Sequence, residues 1–118
     1  MPKTLPIRDV TAPVCCAPMA TTAMDEDTAL EVALRLRALA DPVRLRVMSL
    51  ILNAEAGELC NCDLAPTLGI SDATVSHHLK ALREAGLVAG ERRGTWIYYR
   101  AVPESLAALC RVIDPNCC

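Results

Sequence analysis

Apolar positions recur at helical spacing through most of the chain, and capping residues, glycines and prolines fall at the breaks between these stretches. Leu30, Leu34 and the stretch 36–40 predict a helix ending near Ala40, with Asp25, Glu26 and Asp27 at its favoured acidic start. Asp41-Pro42 restarts the chain as an N-cap followed by a proline at the first helical position. Val43, Val47, Leu50 and Ile51 follow one helical face while Leu45, Met48 and Leu52 fill another, so this second helix is expected to be buried nearly all round. Gly57 ends the linker after it. A short helix from about Cys62 to Leu68, containing Pro66, stops at Gly69; Ser71 then caps a helix from Asp72 to Ala85, which Gly86 ends. Two helices joined by a three-residue turn with a glycine make a helix-turn-helix. Val88 to Gly90, a charged tip Glu91-Arg92-Arg93-Gly94 and the β-rich stretch from Thr95 to Val102 predict a hairpin. Pro103 opens a last helix to about Ile113, with Leu106, Leu109, Cys110 and Ile113 expected on its inward face.

The order helix, helix, helix-turn-helix, hairpin, helix predicts a mainly α chain with a small β-hairpin. It divides into an arm, residues 1–24, a folded unit, residues 25–113, and a tail, residues 114–118. The arm holds Pro2, Pro6, Pro13 and Pro18 and shows no helical period, so it is expected to be extended. At 118 residues, a single domain is expected. The chain has no Phe, one Trp and two Tyr, which makes the core a matter of Leu, Val, Ile and Ala. Its apolar runs fall far short of the ~18–20 residues that span a bilayer, and the start lacks a secretory pattern. A cytoplasmic location with no membrane partner is expected.

Net charge is −2, yet it is unevenly spread: residues 71–100 carry five Lys/Arg against three Asp/Glu, a local +2 within an acidic chain. On a helical wheel Val75, Leu79 and Leu82 share one face. Ala73, Thr74, His77 and Lys80 lie opposite, with Ser76 at the margin. Short polar groups near the N-terminus of a helix, with a cation further on, suit a helix that enters the DNA major groove. Ser71 belongs to the same N-terminal end, and Arg92 and Arg93 at the hairpin tip are placed to reach phosphates or an adjacent minor groove. A plain amphipathic surface helix would show the same wheel; the basic hairpin that follows is what favours DNA.

Four segments stand in order: residues 38–46 (ALADPVRLR), 58–64 (ELCNCDL), 75–82 (VSHHLKAL) and 94–100 (GTWIYYR). Together they resemble the ArsR/SmtB family of metal-sensing repressors over about residues 28–113. The resemblance implies a winged helix-turn-helix homodimer whose first and last helices form the interface. It implies repression of a metal or metalloid resistance operon through an inverted-repeat operator, and release of that double-stranded DNA when the inducer binds.

Cysteine usage narrows the inducer. The chain has seven, an odd number, and six of them form the close pairs Cys15-Cys16, Cys60-x-Cys62 and Cys117-Cys118. Without a secretory signal, such pairs read as metal or redox sites more readily than as a disulfide framework. The last helix, residues 103–113, has no His or Asp, so the Asp/His site of zinc-type relatives is absent. Cys60 and Cys62 match the Cys-x-Cys of the family's thiolate sensors, and a helix N-terminus favours their thiolate form. Cys15 and Cys16 on the arm are expected to supply the remaining ligands. An all-sulfur set excludes hard ions. As(III), with Sb(III) beside it, takes three thiolates; Cd(II), Pb(II) and Zn(II) accept four, and both remain open on ligand number. The vicinal arm pair resembles that of arsenite-responsive members. Cys117 and Cys118 are an accessory metal candidate, Cys110 is expected in the core, and His77 and His78 are not expected to be ligands. No organic cofactor is implied. A thiol oxidoreductase or arsenate reductase would need a nucleophilic Cys in a phosphate-cradling loop or a Cys-x-x-Cys before a helix, and neither is present; the chain is not expected to be an enzyme. A redox-sensing repressor using the same thiols, and a dimeric metal buffer, are the other readings.

Overall fold

A computed structural model describes Met19 and residues 23–114. Five helices and three strands follow in the order α1 (Glu26–Leu39), α2 (Pro42–Leu52), β1 (Glu58–Cys60), α3 (Asn61–Leu68), α4 (Asp72–Glu84), β2 (Val88–Arg93), β3 (Trp96–Ala101) and α5 (Pro103–Ile113). The caps are those the sequence offers. Asp25 accepts from the Thr28 N–H at 2.7 Å, Asp41 from the Val43 and Arg44 N–H groups at 2.8 and 3.2 Å, and Ser71 from the Thr74 N–H at 3.2 Å. Each satisfies donors that the first helical turn leaves open. Gly69 ends α3 at φ 70°, the left-handed conformation that a residue without a Cβ adopts freely.

The sheet is antiparallel in the order β1-β3-β2. The strand β1 was not foreseen. It is three residues long, too short to show an alternation of its own, and exists because Glu58, Leu59 and Cys60 pair with Arg100, Tyr99 and Tyr98 of β3. The hairpin is also tighter than its sequence suggests. Instead of a tip at residues 91–94, β2 runs on through Arg93, which pairs with Trp96, and the turn is Gly94-Thr95 with Gly94 at φ 65°.

The core is aliphatic. Ile51, Leu64, Leu79, Leu82 and Leu87 are fully buried with Val47, Val75 and Val112. Helix α2 supplies Val47, Met48 and Ile51 to it, but Leu45 and Leu52 are 54% and 56% exposed, which corrects the expectation of all-round burial. The helix packs against α1, α3, α4 and the sheet strands β1 and β3, and Leu45 and Leu52 remain outside that packing in the single chain. Helix α5 is rotated from its expected facing. Ser105, Ala108, Leu109 and Val112, the i, i+3, i+4, i+7 stripe, are buried. Leu106 is half-buried, Ile113 is 54% exposed, and Cys110 is an exposed free thiol rather than a core residue. The start of the folded unit is tied down: Met24 packs against the core, and the Met19 N–H donates to the Val112 carbonyl at 2.9 Å.

Candidate functional site

Helix α4 rests on the core through Val75, Leu79 and Leu82 and leaves its other face to solvent. Ser71, Ala73, Thr74, Ser76, His77 and Lys80 are all exposed. The Ser71 and Thr74 hydroxyls lie 2.9 Å apart, so one donates to the other at the helix N-terminus. Lys80 has only a loose partner, Glu84 at 4.0 Å with both side chains 65% exposed. An exposed i,i+4 pair of this kind contributes little, and its cation is free to move to another anion. His78 is turned away from this face: its Nδ1 accepts from the Arg44 Nε at 3.1 Å, joining α4 to α2.

The two wing arginines differ. Arg92 is exposed and its side chain makes no hydrogen bond or ion pair among the described residues. Arg93 is held by the Glu58 carboxylate through both terminal nitrogens, one contact at 3.0 Å, and by Glu91 at 3.1 Å. It spans the central strand with its guanidinium 4.6 Å from the centre of the Tyr98 ring. These carboxylates, Glu58 first, hold its charge more firmly than usual. No signal in the sequence paired residues 58 and 93, because the link depends on β1 lying across the sheet.

The thiol corner lies where β1 becomes α3. Cys60 is the N-cap, a position usually taken by Ser, Thr, Asp or Asn. Its Sγ accepts from the Cys62 N–H at 2.9 Å, and its own N–H donates to the Asp63 carboxylate at 3.1 Å. This is a capping box with sulfur in place of the hydroxyl. Cys60 is wholly buried, Cys62 is at the surface edge, and the two are joined as a disulfide with their Cα atoms 5.0 Å apart. Asp63 adds a carboxylate oxygen, and the three ligand atoms lie within 4.8 Å of one another. Two soft sulfurs on one turn suit a thiophilic ion once reduced; the carboxylate is a hard donor already engaged by the backbone. The remaining expected ligands, Cys15 and Cys16, and the accessory candidates, Cys117 and Cys118, lie outside the described residues. Among the described residues no helix is long and apolar enough to cross a membrane.

A helix-turn-helix followed by a β-hairpin wing, with a cysteine pair at the start of the first of its two helices, defines the class as a winged helix-turn-helix regulator. Residues 41–89 match the family model described as "Bacterial regulatory protein, arsR family". Over 84 residues the chain is 34% identical to the arsenical resistance operon repressor of Bacillus subtilis, covering 71% of this chain and 76% of that protein. The chain belongs to the ArsR family. It is also 47% identical over 84 residues to the arsenic resistance transcriptional regulator ArsR1 of Pseudomonas putida, an alignment covering 68% of this chain and a little under two thirds, 64%, of that protein. Among solved structures it is similar to the homodimeric winged helix-turn-helix DNA-binding domain of a possible ArsR-family transcriptional regulator from Mycobacterium bovis, with a TM-score of 0.61 and 30% identity over 76% of this chain and 83% of that one.

Proposed function

We propose that this chain is a cytoplasmic, homodimeric repressor of an arsenical resistance operon, and that As(III) bound by cysteine thiolates releases it from operator DNA. The observation that carries this reading is the sulfur pair of Cys60 and Cys62 at the head of α3, one helix before the exposed face of α4. In the reduced protein these two thiolates hold the arsenic with a third from Cys15 or Cys16. Ser71, Ala73, Thr74, Ser76 and His77 face the base edges, while Lys80 and Arg92 meet phosphates. Exposed Leu36 on α1 and Ile113 on α5 are apolar surface that a second copy covers, in keeping with the homodimeric relative.

Arg93 has a different part in this reading. Glu58 is two residues before Cys60, so the Arg93–Glu58 pair joins the strand that enters the thiol corner to the wing. A ligand that draws Cys60 and Cys62 toward the arm pulls on β1 and, through that pair, on the wing. Such a switch has two sites and one shared equilibrium, typically coupled by ~1–3 kcal/mol, or about 5–150-fold in DNA affinity.

The test is fluorescence anisotropy of a labelled duplex from the gene's own promoter, titrated with reduced protein with and without arsenite, Cd(II) and Zn(II). Arsenite weakening the complex by about 5-fold or more, with the Cys60→Ser/Cys62→Ser variant bound but unresponsive, is the expected result. A double variant that still releases DNA on arsenite sinks the sensor assignment, and stronger release by Cd(II) makes this a divalent-metal sensor instead. The Cys60–Cys62 disulfide favours one second reading, a repressor that responds to oxidation of these thiols. Release by a mild disulfide oxidant without arsenite, reversed by reductant, would establish it.

A further inference from the structure

The Arg44 side chain stands where three helices meet. Its backbone N–H is capped by Asp41 at the start of α2, its Nε donates to the His78 Nδ1 of α4 at 3.1 Å, and its Nη1 lies 3.5 Å from the Ala38 carbonyl in the last turn of α1. The tie to His78 differs in kind from the contacts that seat α4. Val75, Leu79 and Leu82 bury aliphatic surface, which is favourable over a range of orientations because the hydrophobic effect has no direction. A hydrogen bond weakens steeply off its line. His78 is half-buried, whereas His77 beside it is exposed on the face assigned to DNA. The link thus restricts how far α4 can turn about its own axis, and such a turn moves Thr74 and His77 relative to whatever they face.

We propose that His78, in its neutral form, is a positioning residue for DNA recognition: its bond to Arg44 fixes the rotation of α4 against α2 and α1, and adding a proton to the ring releases it. This rests on the reading of α4 as the helix that enters the major groove. The chemistry follows from the ring. An imidazole nitrogen accepts a hydrogen bond only when it carries no proton, so acceptance at Nδ1 places the proton of neutral His78 on Nε2. A guanidinium only donates. Protonated His78 therefore meets Arg44 as donor to donor and cation to cation, and the pair separates. The charged and titratable groups around His78 are Arg44 and the Asp41 carboxylate from α2, and His77 on α4, whose ring centre is 5.7 Å away. From α1 comes Arg37, which with Glu84 of α4 lines the same cleft as Arg44. Histidine is the side chain that changes charge between about pH 8 and pH 5. His78 does so off the DNA face, so operator affinity falls in acid through misplacement of α4 and not through a lost phosphate contact.

The experiment titrates the reduced full chain, without inducer, into a labelled operator duplex and into an unrelated duplex. Salt is fixed, pH runs from about 8 down to about 5.5, and binding is read by fluorescence anisotropy. Two variants carry the test, each checked for native far-UV circular dichroism. His78→Asn keeps an acceptor near the Nδ1 position and does not titrate; His78→Leu fills similar space without an acceptor. At the alkaline end, His78→Asn should bind the operator within about twofold of wild type, while His78→Leu should lose about tenfold on the operator and little on the unrelated duplex. Toward the acid end, wild type should lose about tenfold relative to His78→Asn and approach His78→Leu. His77 is present in all three proteins, so its own titration cancels in the comparison. Nitrogen NMR of the imidazoles at the alkaline end should show the His78 proton on Nε2, and a proton on Nδ1 overturns the proposal. So does a folded His78→Leu that matches wild type on the operator. Parallel pH profiles for wild type and His78→Asn overturn it too, as does tighter binding in acid by wild type alone, the result of Asp41 capturing the charged ring. Failure of the underlying reading looks different: operator preference unmoved by both Thr74→Ala and His77→Ala removes α4 as the reading helix, and the proposal with it.

Discussion

Recognition helix and wing both carry the basic charge of residues 71–100, but they hold it differently. Helix α4 is seated on the core by three fully buried side chains, and its outward groups are nearly unencumbered: Lys80 has one loose partner, itself largely exposed. The wing stands on strand pairing, and of its two adjacent arginines one is free while the other is clamped to Glu58 and Glu91 across Tyr98. Counting cations therefore overstates what the wing offers to phosphate. A guanidinium already matched to carboxylates gains little by exchanging them for another anion, whereas a solvated one gains the full contact. Neighbouring residues of the same type thus divide into a free cation and an internal tie.

The largest expected effect separates the two regions by what holds them. Leu79→Ala removes a wholly buried side chain from under α4 and should lower unfolding free energy by ~2–5 kcal/mol in urea denaturation. Trp96→Ala on the half-exposed wing edge should cost far less; equal losses would mean that the wing, too, belongs to the core.

Next is the arginine contrast. Lys80→Ala and Arg92→Ala should each weaken operator binding and reduce the slope of log affinity against log salt by about 0.9 per lost phosphate contact. Arg93→Ala should leave that slope near the wild-type value while speeding amide exchange in β1 and β3 and reducing release by arsenite. A salt slope that falls equally in the two arginine variants would erase the distinction drawn between them.

Base preference sharpens the α4 side. Thr74→Ala or His77→Ala should change discrimination at individual base pairs by ~1–3 kcal/mol with the salt slope unaltered, measured on a panel of single-substituted duplexes.

The smallest effect concerns acid. Asp41 caps α2, and its carboxyl lies below its ordinary 3.8 because the Arg44 and Val43 N–H groups bond to it, with the Arg44 guanidinium adding positive charge. A carboxyl depressed by folding stabilises the protein above its unfolded value, and that contribution is lost as pH falls through the folded one. Asp41→Asn should therefore flatten the loss of stability below about pH 4 and change little at pH 7. A steeper acid limb in that variant would contradict the assignment.

The caps at Asp41 and Ser71, the acidic start of α1 from Asp25, the buried stripe of α4 and the order of the five helices and the hairpin were legible from spacing, because each is decided within one or two helical turns. The thiol pair was legible for the same reason: two residues apart at a helix start, Cys60 and Cys62 have nowhere else to be. The arm and tail cysteines lie outside the described residues. The facing of α5 was misjudged by one helical step. Leu106, Leu109, Cys110 and Ile113 form as apolar a stripe as Ser105, Ala108, Leu109 and Val112, and only the surface the helix docks on chooses between them. Leu45 and Leu52 show the same limit, since hydrophobicity says that a side chain prefers burial but not which neighbour covers it.

By itself the sequence determined the local structure: where helices begin and end, which face of α4 is apolar, and which sulfurs share one turn. Tertiary structure decided the relations across distance. It made β1 a strand by setting it against β3, tied Arg93 to Glu58 over Tyr98, and set His78 of α4 against Arg44 of α2. Such links join residues 34 or more positions apart, and chain spacing carries no record of a contact that exists only once the chain has folded.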